Sequence, residues 1–413
     1  MRKILSNPVQ IVTVDSLGKN YKRGKELKNI SVIENHSLIL EDGFIKDIVP
    51  NSSLKVSTID KIIEVKDKVI LPGLVECHTH SAFTGSRTNE FKLRIEGKSY
   101  EEIAKEGGGI NTTVEAVRNV SIEKLINLLA IRVNYFISQG ITSLEIKSGY
   151  GLDYENELKL LQAINYLKDI FPINIIPTFL GAHTFPPEFK NNRKGYIDLL
   201  TDKLIPYISL HKLAKYCDAF CEKTAFTSTE VERIFTKAKK SGMELKLHTE
   251  QFNNIGGIEL ALKHNITSAD HLEVLEDSKL NALGNSDIVC SLLPGVSFFL
   301  DYQYAPARKL IESNAIVALA TDYNPGSSHI ANLNFIMSLA SLKMKMTVEE
   351  TISAVTINAA KAIGLSNETG NIEINKHADF AVFDTCDYSD IVYNVGKNLN
   401  CMTIKNGEVI YSI

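Results

Sequence analysis

Tryptophan is absent from the 413 residues, and the six cysteines at 77, 217, 221, 290, 386 and 401 form no CxxC pair. Scattered thiols in so long a chain argue against a disulfide framework and for a reducing compartment. Nowhere do about 18 apolar residues run together, so no membrane span is expected. Neither sign of charge prevails: 45 Lys and Arg stand against 49 Asp and Glu, a net charge of −4. Such a balance offers no basic face to nucleic acid or acidic lipid. The start, MRKILSNPVQIVTVDS, lacks the unbroken apolar stretch of a leader, because Ser6, Asn7 and Pro8 interrupt it. The end, YSI, carries no lipidation signal. A cytoplasmic protein is expected. GxGxxG and GxxxxGK[ST] are missing, which removes the usual dinucleotide and P-loop readings. GxSxG is missing too, and with it the nucleophile elbow of a serine hydrolase. There is no 20–50-residue repeat and no low-complexity tract.

What is present is ordinary in composition, 44% apolar and 23% charged, and long enough for a large domain with a smaller one. The two ends resemble each other. Residues 10–14, 31–35, 37–49 and 61–70 are short β-like runs, and Glu41-Asp42-Gly43 is a hairpin signal. Residues 378–384 and 401–413 read the same way, with a turn at Lys405-Asn406-Gly407. We therefore expect a small β-sandwich domain built from residues 1–70 and 366–413.

Between them, residues 71–365 alternate. Apolar strand candidates occur at 69–80, 140–151, 173–185, 217–223, 243–251, 266–274, 287–295 and 315–326. Stretches of helical period separate them, such as 122–139 and 153–170, the latter with Asp153 placed as N-cap. Eight near-continuous apolar strands alternating with helices predict an α/β fold, a closed parallel (β/α)8 barrel of the TIM type.

The polar residues fall at one place. His78 and His80, two apart on a strand, point to one face. His183, His248, His271 and Asp322 each close a later apolar run. The C-terminal ends of barrel strands are where active sites lie. Packing gives no reason for His and Asp to recur there. Three imidazoles and one carboxylate can hold one divalent ion of the zinc or iron type. A water molecule on such an ion becomes a nucleophile near neutral pH. His271 would then serve as base or electrophile beside the ion, and Asp322 can carry a proton as well as bind. The segment 83–121 exceeds a usual βα loop and contains Gly107, Gly108 and Gly109, a candidate hinge for a lid.

LPGLVECHTHSAFTGSRTNEF, EIKSGYGL, TFLGAHTFPPE, LHTEQFNNIGG, SADHLE and ATDYNPGSS together resemble the amidohydrolase superfamily and, within it, the imidazolonepropionase family. The resemblance implies a metal-dependent hydrolase that opens the cyclic amide of 4-imidazolone-5-propanoate to give N-formimidoyl-L-glutamate, in histidine degradation. It implies a zinc or iron ion on His78, His80, His248 and Asp322, and substrate contacts from Arg87, Tyr150, His183, Gln251, Asn324, Gly326 and Ser327. It also implies a homodimer. A guanidinium at Arg87 suits the propanoate carboxylate, with a tyrosine hydroxyl as a further donor. Arg87 could alternatively pair with Glu90. Related ring deaminases usually carry Glu three residues after the histidine of the fifth strand. Here that place is Gln251, which cannot shuttle a proton, and the acid is Glu250, a further catalytic candidate. Asp322 and His271 both remain candidates for the first base.

Overall fold

The computed structural model describes residues 1–98, 102 and 108–413. Seven strands precede the middle of the chain: β1 (Arg2–Ser6), β2 (Gln10–Val12), β3 (Val32–Ile33), β4 (His36–Glu41), β5 (Phe44–Pro50), β6 (Lys61–Glu64) and β7 (Val69–Pro72). Eight follow at near-regular spacing: β8 (Leu74–Glu76), β9 (Ile141–Lys147), β10 (Asn174–Ala182), β11 (Tyr216–Cys221), β12 (Glu244–Thr249), β13 (Ser268–His271), β14 (Val289–Leu292) and β15 (Ile316–Leu319). The last three are β16 (Phe380–Phe383), β17 (Asn400–Lys405) and β18 (Glu408–Ser412).

Strands β8 to β15 pair in sequence order, every pair parallel. Closure comes just beyond the first and last of them. Thr79 bridges Tyr323 in parallel register, the Asp322 amide donates to His78 O at 3.2 Å, and the His80 amide donates to Tyr323 O at 3.0 Å. The expected barrel is therefore present, and its seam runs through the polar residues themselves.

The helices follow the sequence signals. α1 (Thr88–Ile95) and α2 (Ile110–Asn119) occupy the long segment after β8. The hinge expected at 107–109 lies partly outside the described residues, since Gly107 is not among them. α3 (Ile122–Ile137) buries Leu125, Leu129, Val133 and Phe136, spaced by three and four. α4 (Tyr154–Ile170) starts at Asp153, whose carboxylate accepts from the Asn156 amide at 2.7 Å.

The terminal strands form two further sheets, in the orders β5-β4-β1-β6 and β18-β17-β16-β7-β2-β3. Leu5, Leu38, Leu40, Ile45 and Ile63 of the first pack on Ile11, Ile70, Phe380, Val382 and Ile404 of the second in one buried cluster. Each fully buried aliphatic or Phe side chain there contributes about 1.5–3 kcal/mol, which ties both chain ends together.

Two strands differ from expectation. The run 69–80, read as one barrel strand, is two. β7 pairs with β16 and β2 in a terminal sheet, and only β8 enters the barrel. Gly73 makes the break: a Cβ there would lie 2.2 Å from Thr142 Oγ1, so the backbone crosses β9 where no side chain fits. The opening run RKILS, read only as lacking the marks of a leader, is β1, paired antiparallel to β4 and parallel to β6.

Candidate metal centre

Glu76, His78 and His80 stand at alternate positions and share one face, aimed into the barrel. Glu76 is wholly buried and accepts from the amides of His78 at 3.1 Å and Thr321 at 3.2 Å, tying β8 to the residues after β15. Burial pushes its carboxyl up to about 8, although those amides favour the charged form.

The ligand atoms converge above it. His80 Nε2 is 3.3 Å from His78 Nε2 and 3.2 Å from His248 Nε2. Asp322 Oδ1 is 3.4 Å from His78 Nε2 and 3.2 Å from His80 Nε2. Adjacent ligands about 2.0–2.1 Å from one tetrahedral ion stand about 3.3–3.4 Å apart. Asp322 Oδ1 is buried with no hydrogen-bond partner, while Oδ2 accepts from Asn324 Nδ2 at 3.1 Å. A buried carboxylate oxygen left in this way is costly unless a cation or proton meets it. His78, His80 and Asp322 thus fit one divalent metal ion, with His248 Nε2 beside His80 to join them.

The other nitrogens of two imidazoles are fixed from below. His78 Nδ1 is 2.7 Å from Asp270 Oδ2, and His248 Nδ1 is 3.0 Å from Asp218 Oδ1. Donating there turns each Nε2 toward the centre, where its lone pair would serve a bound ion. Burial and Lys147 both lower His78, but Asp270 and Asp322 outweigh them and raise it to about 9 in the metal-free chain. Burial also opposes ionisation of Asp322, yet the His78 and His80 imidazoles hold its carboxyl well below the ordinary range. The backbone is strained where these groups sit, with φ of +50° at Asp322 and +86° at His271, the left-handed region that functional sites tolerate.

Around the centre, His271 lies with its ring 5.4 Å from His248 and 6.0 Å from His78, and its Nδ1 is 3.4 Å from Glu273 Oε1. His183 stacks on His80 at 5.1 Å, and its Nδ1 donates to Gly149 O at 2.9 Å. Burial and His80 lower His183 to about 3, so it is neutral with Nε2 as acceptor. The Tyr150 ring stands 6.1 Å from His80 and 5.4 Å from His183. Burial raises its phenol, with Arg87 opposing, so the hydroxyl keeps its proton and can donate. Glu157, on α4, sets this loop by accepting from the amides of Gly149, Gly151 and Leu152 at 2.8–3.2 Å.

Arg87 pairs with Glu90, through Nε at 2.8 Å and Nη2 at 2.6 Å. Its Nη1 faces Gly326. The alternative weighed for Arg87 is therefore realised on one edge of the guanidinium. Asn324 organises the loop that follows, its Oδ1 accepting from the Gly326 amide at 2.8 Å and the Ser327 amide at 2.7 Å. Gln251 is buried. Both carboxylate oxygens of Glu250 are buried without a hydrogen-bond partner among the described residues, and burial raises it to about 7, with Lys279 opposing.

Five interior residues escaped the sequence reading: Glu145, Lys147, Asp218, Lys246 and Asp270, all fully buried. Lys246 on β12 reaches Glu145 on β9 at 3.0 Å, and the two strands are not neighbours in the sheet. The contact crosses the barrel lumen. The signal for Glu145, Lys147 and Lys246 was charge at alternate positions inside apolar runs, Glu145 with Lys147 and Lys246 with His248.

The similarities of the chain agree with this geometry. A sequence model of the amidohydrolase family matches residues 96–411. An imidazolonepropionase of Fusobacterium nucleatum subsp. nucleatum is 40% identical over 411 residues, 99% of this chain and 98% of that one. One of Thermoanaerobacter pseudethanolicus is 43% identical over 382 residues, 92% of each. An adenosine deaminase from Xanthomonas campestris with bound zinc superposes with a TM-score of 0.72 at 15% identity, covering 98% of this chain and 92% of that one. At that identity the likeness concerns the fold.

Proposed function

The chain belongs to the amidohydrolase family, among the imidazolonepropionases, and on that premise we propose that it holds one zinc or iron ion on His78, His80, His248 and Asp322 and grips the substrate carboxylate with Arg87. The reaction is hydrolysis of the ring C–N bond of 4-imidazolone-5-propanoate to N-formimidoyl-L-glutamate, a step of histidine degradation. The observation that carries the metal assignment is the set of ligand-atom separations, 3.2–3.4 Å about His80 and Asp322.

Bound there, a divalent ion lowers the pKa of water and polarises a carbonyl. The chain's own residues do the rest. Asp322 takes a proton from the attacking water and delivers it to the leaving ring nitrogen. The water oxygen bonds to the ring carbonyl carbon as the C–N bond breaks. His271, beside His78 and His248, donates to the oxygen that gains charge. Arg87 Nη1 and the Tyr150 hydroxyl hold the propanoate, and a charge-assisted pair of this kind is strong because both partners are fixed. His183 Nε2 accepts from a ring N–H. Gln251, Asn324, Gly326 and Ser327 line the ring and its polar groups.

A cytoplasmic location belongs with this reading, supported by six free thiols. So does the homodimer, for which sedimentation is the test. Among the described residues, no helix is long and apolar enough to cross a membrane.

Urocanase can generate the imidazolone in place from urocanate. The metal-free chain and the chain reloaded with zinc or iron are then compared for loss of its ultraviolet absorbance. Acceleration by the reloaded chain alone, with N-formimidoyl-L-glutamate as product, is expected. A reloaded chain that gives no acceleration contradicts the assignment.

A further inference from the structure

Beneath the metal ligands lies a layer of charge that touches no ligand atom of the proposed centre. Lys147 Nζ is 2.8 Å from Asp218 Oδ2, 2.9 Å from Glu145 Oε2 and 3.8 Å from Asp270 Oδ2. All four side chains are fully buried. Asp218 and Asp270 are the two acceptors of the ligand imidazoles, for His248 and His78 respectively. A single ammonium thus faces both. Lys246 adds a further cation: its Nζ is 3.0 Å from Glu145 Oε1 and donates to Cys77 O at 2.9 Å, and its charge also acts on Asp270.

We propose that Lys147 is a positioning residue for the metal centre, an internal cation that holds Asp218 and Asp270 in place so that His248 and His78 present Nε2 to one ion. The inference rests on the metal reading above. Its physical basis is the cost of uncompensated charge in a dry interior. With Lys147 removed, Asp218 loses its ammonium while Glu145 and Asp270 keep only Lys246, and a buried charge that loses its partner is strongly unfavourable. One carboxylate must turn, take a proton or draw in water. Each outcome loosens an Nδ1 hydrogen bond that sets the orientation and basicity of a ligand histidine, and loss of such outer partners costs about 10–100-fold in metal affinity.

Oxygen or nitrogen atoms of Asp218, His248 and Asp270 also lie within 4.8 Å of one another, a spacing that a cation could bridge. The Lys147 ammonium already answers that need, so the chain is expected to bind one divalent ion and not two.

The test is zinc titration of the apo chain against a competing chelator, with stoichiometry and thermal midpoint measured on the same samples. The wild type is expected to bind one ion per chain. Lys147→Met is expected to bind at least about tenfold more weakly. Should that variant not fold, Glu145→Gln combined with Lys147→Met removes one charge of each sign, leaves the net charge of the interior unchanged, and is expected to show the same loss. A lowered thermal midpoint with unchanged affinity in either variant would make Lys147 a purely structural residue and overturn the proposal. Two ions on the wild-type chain would also overturn it. No binding by the wild type would instead bring down the metal reading on which the proposal stands.

Discussion

The guanidinium of Arg87 fills the space that a side chain at Gly326 would need: a Cβ there would lie 2.0 Å from Nη1. Because Glu90 holds the opposite edge of the same group, Arg87 cannot yield cheaply. Gly326→Ala is therefore expected to raise KM by about 10–100-fold while changing kcat less, since a small displacement of a positioning group costs that much. Steady-state kinetics on the variant check it. An unchanged KM would separate Arg87 from the substrate.

Asp322→Asn removes the proton carrier but leaves an oxygen able to bind. Turnover is expected to fall by at least about 100-fold, with metal partly retained. Metal analysis alongside kcat decides; near-normal turnover would assign the proton transfer to another group.

His78 is raised to about 9 in the metal-free chain, because Asp270 and Asp322 outweigh burial and Lys147. At pH 7 it carries a proton that an incoming ion must displace. Metal affinity is then expected to weaken as pH falls and to strengthen as pH rises toward 9. Calorimetry in buffers of different ionisation enthalpy measures the proton released. Binding heat independent of the buffer would contradict it.

The barrel, the sandwich and the histidines at the strand ends were legible because each rests on a local pattern. Strands β9 to β15 are apolar runs between helical stretches, and His78, His80, His248 and Asp322 end such runs. What escaped depends on contacts across the lumen or between sheets. The split of 69–80 at Gly73 is set by Thr142 of a neighbouring strand, which no local pattern reports. Glu145, Lys147 and Asp270 went unread because the pairs that tie them together, with Asp218 and Lys246, reach other strands. The Glu90 edge of Arg87 was a stated alternative, and both uses of that guanidinium fit one geometry.

Far from the centre, Lys22 is buried and donates to the Asn29 carbonyl. Burial pushes its amine down to about 8 from the ordinary 10.5, with Asp15, Glu26 and Glu373 opposing. The folded pKa is the lower, so between pH 8 and 10.5 the unfolded chain binds more protons. Stability from this group then rises with pH across that window and is lost as pH falls through 8. Lys22→Met is expected to flatten the pH dependence of the thermal midpoint above pH 8. An unchanged slope would show that Lys22 stays charged at no cost.

The claim that Arg87 reads the carboxylate while the metal ligands mark the scissile bond is tested most directly by pairing Arg87→Ala with an imidazolone whose propanoate is replaced by an uncharged propyl group. The wild type is expected to prefer the acid strongly in kcat/KM, and Arg87→Ala to lose most of that preference, chiefly through KM for the acid. A variant that still discriminates as the wild type does would contradict the account and place the carboxylate elsewhere.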